Sequence, residues 1–314
     1  MNTTSEATRT AASATASARA DTKIRRQRPW RSSRSFDLHR PTFGGLMVRY
    51  LLLILLLLIS VGPFLWQLST SLKSVTEDIY SFPPRLIPQH PTLEAYASVT
   101  RFIPVYKYAY HSLLIAVASV VSNAVLATLA GYALGTMKFR GKLVVMGIFL
   151  STLLLPGEVT LTSQFLIVNS LGLANTLAGV YLPGVVGAVN VLLMTTACRA
   201  IPGEVLEAAT IDGASTLQRI RHIVWPNVRG MVAVVAVFCF IGAWDDFLWP
   251  LIVLSDPDKY TLTVGMAFLK SSIGGADPRQ IAAGTMVALI PIIIVFAALQ
   301  RVFFSGVEGG AVKG

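Results

Sequence analysis

Residues 50–61 read Tyr-Leu-Leu-Leu-Ile-Leu-Leu-Leu-Leu-Ile-Ser-Val without one charge, and five further long apolar runs follow. A run of about 20 such residues is what a helix needs to cross the hydrocarbon core. Inside hydrocarbon the backbone must satisfy its own hydrogen bonds, which leaves helices or closed barrels, and runs this long are helical. The pattern predicts an all-α, polytopic membrane protein with six transmembrane helices, near 49–69, 109–135, 143–167, 176–198, 229–254 and 281–304. Charged residues make up only 13% of the chain and mean hydropathy is +0.63. Soluble domains carry about 25% charge, so lipid is the main solvent here and a partner in its own right.

Lysine and arginine set the orientation, because short loops rich in them stay cytoplasmic. Nineteen of the 26 basic residues lie in the arm through Arg49, the turn 136–142, the loop 199–229 and the tail. The other seven are spread over the longer loops 70–108 and 255–280. Both termini and the 199–228 loop are therefore expected on the cytoplasmic side of the cell membrane. The net charge of +10 is mostly this asymmetry, so no nucleic-acid partner is expected.

Residues 1–47 are expected to be a disordered basic cytoplasmic arm, and 48–314 the six-helix transmembrane domain. The arm's cations either brush anionic lipid or simply fix topology. Its first apolar run lacks a cleavage signal and is expected to stay attached as a span. Cys198, Cys239 and four scattered histidines form no metal motif. With no phosphate loop, nucleophile elbow or His-Glu-x-x-His helix, the chain is expected to be neither an enzyme nor a binder of a metal or cofactor.

The loop between the fourth and fifth spans breaks the apolar pattern. It places Glu204, Glu207, Asp212, Arg219, Arg221 and His222 within twenty residues. Pro202 suits a first helical turn, and Glu204 and Glu207 follow three apart near the positive helix end. Gly213 is able to stop or hinge that helix, since glycine takes positive φ without strain. Ser215-Thr-Leu-Gln218 reads as a capping box opening a second helix. Pro226 disfavours helix at Trp225 and predicts a break before the fifth span.

Glu207-Ala-Ala, three residues, Gly213, nine residues, then Ile223-Val-Trp-Pro226 resembles the EAA motif of ABC importer permeases, with Trp225 in place of the usual leucine. Further stretches resemble the carbohydrate-uptake, MalG-like permeases. They are Ala243-Trp-Asp-Asp-Phe-Leu-Trp-Pro-Leu-Ile-Val-Leu254, with Asp245 where Asn is usual, Ser81-Phe-Pro-Pro84, Pro91-Thr-Leu-Glu-Ala-Tyr96, and the tail from Gln300 to Gly314. The resemblance covers residues 45–314 and implies the MetI-like permease fold. It further implies that the loop docks into a cleft of a separate ATP-hydrolysing subunit. Gly213 would supply the bend, Ala208 and Ala209 the close approach, and Glu207 the contact with a basic group. Glu204, Asp212, Ile223 and Pro226 complete the loop. The implied partners are a second, homologous permease, two ATP-binding subunits that hold ATP and Mg, and an extracytoplasmic solute-binding protein docking on loops 70–108 and 255–280. The tail after Gly306 is implied to reach the ATPase. The implied cargo is a mono- or oligosaccharide, with a polyol or glycerol-phosphate-type solute as the alternative.

Carboxylates inside a membrane are costly and mark function by default. Asp245 and Asp246, expected within the outer half of the fifth span, either line a solute path or brace the helix break around Pro250. Glu158, beside Pro156 and Gly157, either lines a cavity or marks a helix end. Trp244 and the other tryptophans and tyrosines near span ends either stack on sugar rings or form an interface belt. Gly131 and Gly135 allow a close helix approach, within the chain or against a second permease. The competing class, an ion-driven carrier, has only Glu158, Asp245 and Asp246 for ion sites and leaves the 199–228 loop unexplained.

Overall fold

The computed structural model describes residues 43–83, 85–271 and 277–311, with side chains over 44–83, 85–270 and 277–300. Most of the expected arm and the last three residues of the tail lie outside these. Every regular element among the described residues is helical. The elements are α1 (Phe43–Leu72), α2 (Glu94–Phe102), α3 (Val105–Thr136), α4 (Lys142–Thr152), α5 (Gly157–Ser170), α6 (Leu177–Tyr181) and α7 (Ala188–Arg199). They continue with α8 (Gly203–Ile211), α9 (Thr216–Arg219), α10 (Trp225–Asp245), α11 (Leu248–Val253), α12 (Leu262–Ser271) and α13 (Pro278–Ala311). The first helix starts at Phe43, inside the stretch expected to be arm.

Four stretches are long and apolar enough to cross a membrane: 44–72, 105–136, 216–245 and 278–300. Two bent helix pairs bring the number to six if each is one span. The third span is interrupted beside Pro156 and Gly157, where the sequence places a break. α4 and α5 meet at 105°, broken at Leu153–Pro156. Proline has no N–H to donate and pushes its predecessor out of the helical region, so hydropathy continues through a point where the helix cannot. The fourth span bends by 42° where Pro183, Gly184 and Gly187 separate α6 from α7.

The fifth span differs from expectation, at both ends. Helix runs without interruption from Thr216 through a π-turn at Ile220–Val224 into α10. Pro226 therefore does not break it. The wide turn pairs the Trp225 amide with the Ile220 carbonyl, five residues back, and makes room for the proline ring. Asn227 Nδ2 covers the Ile223 carbonyl at 2.7 Å. At the far end helix stops at Asp245, not near 254, because Asp246 turns to extended backbone at ψ 123 before the separate α11.

α3 packs along α7 and α10, and α10 along α13. Glycine decides the first of these contacts. A Cβ on Gly131 would lie 2.6 Å from Met194 Cβ, and one on Gly135 would lie 2.9 Å from Cys198 Cβ. The small-residue pair thus serves packing within this chain, where backbones close enough for dispersion contact replace a hydrophobic driving force that lipid does not supply.

Candidate functional site

The 199–228 loop is built from two capped turns and one left-handed residue. α8 begins after Pro202, and Glu204 lies in its first turn. It ends in a complete Schellman motif: Ala214 N donates to Ala209 O at 2.9 Å and Gly213 N to Thr210 O at 3.1 Å. Gly213 holds φ +77, which no side-chain-bearing residue takes cheaply. Ser215 then caps the next helix reciprocally, its Oγ receiving Gln218 N at 3.3 Å while Gln218 Oε1 receives Ser215 N at 2.7 Å. That helix is the start of the fifth span. Two residues, Ala214 and Ser215, therefore separate the left-handed corner from a rod of 30 residues, about 45 Å long.

The short helix α8 has two unlike flanks. Gly203, Leu206, Glu207 and Thr210 line a cavity of about 480 Å³ closed by the ends of α3 and α7. Glu204, Ala208 and Ile211 follow the other flank, where Ile211 is 87% exposed. Glu207, Asp212, Gly213 and Pro226 are exposed as well, and Ala209 and Ile223 half-buried. Leu217, 73% exposed, lies just past the corner. Apolar side chains bared beside carboxylates fit a surface that another protein covers.

A second cavity, of about 490 Å³, opens among α3, α5, the α6–α7 bend and the end of α10. Glu158 and Asp246 both line it, with Gln164, Tyr181, Asn190 and Trp249. The 105° turn brings Glu158 there, placing it in the first turn of α5. Asp246 also braces the helix break: Oδ1 receives Trp249 N at 3.4 Å and its carbonyl receives Thr263 Oγ1 at 2.7 Å. Asp245 is exposed and does not line the cavity. Trp244 is buried, stacked on Phe240 at 5.8 Å, and its Nε1 donates to Ala288 O at 3.0 Å, which makes it a tie between α10 and α13. Trp249 is likewise held, Nε1 donating to Val180 O at 3.1 Å.

The cavity depends on a residue that sequence reasoning missed. Asn123, 2% exposed in the middle of α3, donates to Ser119 O (3.0 Å) and Gly184 O (3.2 Å). Its Oδ1 receives Gly187 N (2.8 Å) and Asn190 Nδ2 (2.9 Å), and the latter also reaches Cys239 Sγ at 3.1 Å. One amide side chain thus satisfies the backbone groups freed at the α6–α7 bend. The available signal was an asparagine alone in an apolar run, a residue type that bridges helices in lipid.

Outside the spans, the two long loops are joined. Glu77 accepts from His90 N (2.8 Å) and Gln89 N (3.1 Å), and its carbonyl receives Arg279 Nη2. Arg279 in turn grips Asp277 at 2.8 Å. The hydrogen bond from His90 N holds the Glu77 carboxyl below its ordinary value, and the hydrogen bond from Lys107 (2.8 Å) does the same for Asp258.

Residues 125–309 match the family described as binding-protein-dependent transport system inner membrane component. The chain is 34% identical to the inner membrane ABC transporter permease protein YcjP of Escherichia coli over 83% of its length and 94% of that protein's. It is 30% identical to the diacetylchitobiose uptake system permease protein NgcG of Streptomyces coelicolor, over 85% and 88%. It is also 30% identical to the galactooligosaccharides transport system permease protein GanQ of Bacillus subtilis, over 88% and 99%. Among solved structures, a chain of a bacterial ABC transporter that imports the acidic polysaccharide alginate superposes with a TM-score of 0.72 at 23% identity, covering 81% of this chain and 95% of that one. At that identity the likeness shows the fold.

Proposed function

Because the chain belongs to the family of binding-protein-dependent transport system inner membrane components, we propose that it is the permease subunit of an ATP-driven importer of a mono- or oligosaccharide. Relatives named for diacetylchitobiose and galactooligosaccharides support the sugar class. In this reading the complex holds a second permease, two ATP-binding subunits and an external solute-binding protein. ATP and Mg belong to the ATP-binding subunits, and this chain binds no cofactor. Both termini and the 199–228 loop face the cytoplasm.

One observation carries the mechanism: α8 meets an unbroken helix of residues 216–245 through a single left-handed corner at Gly213. When the ATP-binding subunits close, a push on α8 passes through that corner into a rod that ends at Asp245, directly before Asp246 on the wall of the membrane cavity. Helix shifts of this rigid-body kind carry allosteric change between distant sites. Glu207 with Glu204, Ala208, Ala209, Asp212, Ile223 and Pro226 form the docking element. Glu158 and Asp246 are the path carboxylates, offering acceptors to sugar hydroxyls, while Asp245 and Trp244 take no direct part. Among the described residues the lining of that cavity includes no Lys, Arg or His. This favours an uncharged sugar over a phosphorylated polyol.

The test is binding-protein-stimulated ATP hydrolysis by the complete transporter in vesicles. Glu207→Arg is expected to lower stimulation by roughly 5- to 150-fold, the span of typical coupling free energies, with assembly in the membrane retained. Unchanged stimulation overturns the docking role. Unchanged uptake and solute preference in Asp246→Asn overturns the path role.

A further inference from the structure

The cavity between α8 and the ends of α3 and α7 holds more positive charge than a docking loop requires. Lys138, Arg199 and Arg219 line it, against the one carboxylate of Glu207. None of the three takes part in an ion pair among the described residues. Arg219 is held in place: Nη1 donates to Thr210 Oγ1 at 2.9 Å and Nη2 to Thr216 Oγ1 at 3.1 Å. Its Nε is buried and has no acceptor. A guanidinium held by two hydroxyls keeps its full charge, and a planar fork so fixed suits a tetrahedral oxyanion.

Neutral donors face the same space. Tyr132 and Thr136 line it too, although Thr136 Oγ1 already donates to Tyr132 O at 2.8 Å, and Gly203 brings the first turn of α8, whose N-cap Pro202 supplies no side-chain acceptor. Main-chain N–H groups at a helix start carry partial positive charge and bind phosphate readily. The depth of the cavity is set by the spans. α3 ends at Thr136 and α7 at Arg199, both on its wall. Where spanning helices end is where lipid headgroups lie, and basic pockets between helix ends at that level suit acidic headgroups.

We propose that this cavity seats a phosphate oxyanion, that of an anionic phospholipid headgroup, with Lys138, Arg199 and Arg219 as its counter-charges. The site shares Glu207 and Arg219 with the loop, so lipid occupancy and loop position are linked. This inference needs only the membrane placement of the chain and stands whether or not the sugar is correctly named.

The experiment uses the complete transporter in nanodiscs of phosphatidylcholine with a minor fraction of phosphatidylglycerol, and counts lipid retained per complex by native mass spectrometry. Phosphatidylglycerol is expected to be retained over phosphatidylcholine. Each lost charge is expected to weaken retention about fivefold, and the Lys138→Gln/Arg199→Gln double variant about 25-fold. The charge-keeping pair Lys138→Arg/Arg199→Lys must retain the lipid. If it loses lipid as the glutamine pair does, packing rather than charge is responsible and the proposal fails. In a second arm, inorganic phosphate is added to complexes in pure phosphatidylcholine and the melting temperature is read. A rise abolished by the glutamine pair would keep the oxyanion site but overturn the lipid as its source. Equal retention of both lipids, with no response to phosphate, overturns the site.

Discussion

The backbone amide of Ala214 donates to the carbonyl of Ala209 at 2.9 Å, closing the end of α8 over the left-handed residue between them. Ala209 is the second alanine of the Glu-Ala-Ala triplet, so motif and corner are one hydrogen-bonded unit. The triplet's small side chains leave the turn uncovered, and no atom lies within 4 Å of where a Gly213 Cβ would stand. What requires glycine there is φ alone.

Gly213→Ala is therefore expected to insert normally and to cost about 1–2 kcal/mol of local stability through φ. Gly213→Pro also removes the donor to Thr210 O and cannot adopt φ +77. Uptake should be reduced in the first and abolished in the second, while membrane fractions contain both proteins. Full uptake by the proline variant would separate the corner from transport.

Asn123→Leu keeps approximate size but orphans Gly187 N and strips the bent α6–α7 segment of its tie to α3. A buried group left without its partner costs about 1–3 kcal/mol. The detergent-solubilised variant should melt measurably lower than the parent. Asn123→Asp, which retains the acceptor, should recover part of the loss.

Gly131→Val puts a branched side chain where even a Cβ lies 2.6 Å from Met194. Overpacking of this kind costs about 1–3 kcal/mol and often more when backbone must move. Because the backbone at Met194 and Thr195 lies within 2.9 Å as well, pairing it with Met194→Ala, which keeps Cβ, should not restore the melting temperature. Full restoration would mean that α3 and α7 meet elsewhere.

The clamp between the two long loops is pH-dependent, with a defined sign. Hydrogen bonds from His90 N and Gln89 N hold the Glu77 carboxyl below its ordinary value of 4.5. A depressed carboxyl contributes stability above its unfolded value and loses it as pH falls through the folded one. Glu77→Gln should thus melt lower than the parent at neutral pH, and the two should converge as pH drops below 4.5. A gap that stays constant over that window would remove the charge from the explanation.

Local chemistry explains which features were legible. Gly213 and the Ser215–Gln218 box were predictable because a left-handed residue and a reciprocal cap depend on a handful of neighbours. The bend at Leu153–Pro156 was signalled by its proline, yet hydropathy averages over such a point and reads one span. Pro226 misled for the opposite reason, since a π-turn absorbs its ring and the sequence has no marker for that turn. Asp245 and Asp246, adjacent in sequence, part company because helix ends between them and turns one to the cavity and one away.

By itself the sequence determined that the chain spans a membrane several times, which loop is polar, where that loop turns, and which family it resembles. These follow from composition, period and short-range hydrogen bonding. Tertiary structure alone decided that Glu158 and Asp246 share a cavity, that Asn123 holds the α6–α7 bend, and that Glu207 faces three cations beneath α8. Such neighbours are set by the angles at which helices cross and break. Those angles depend on contacts between residues far apart in the chain, such as Gly131 against Met194.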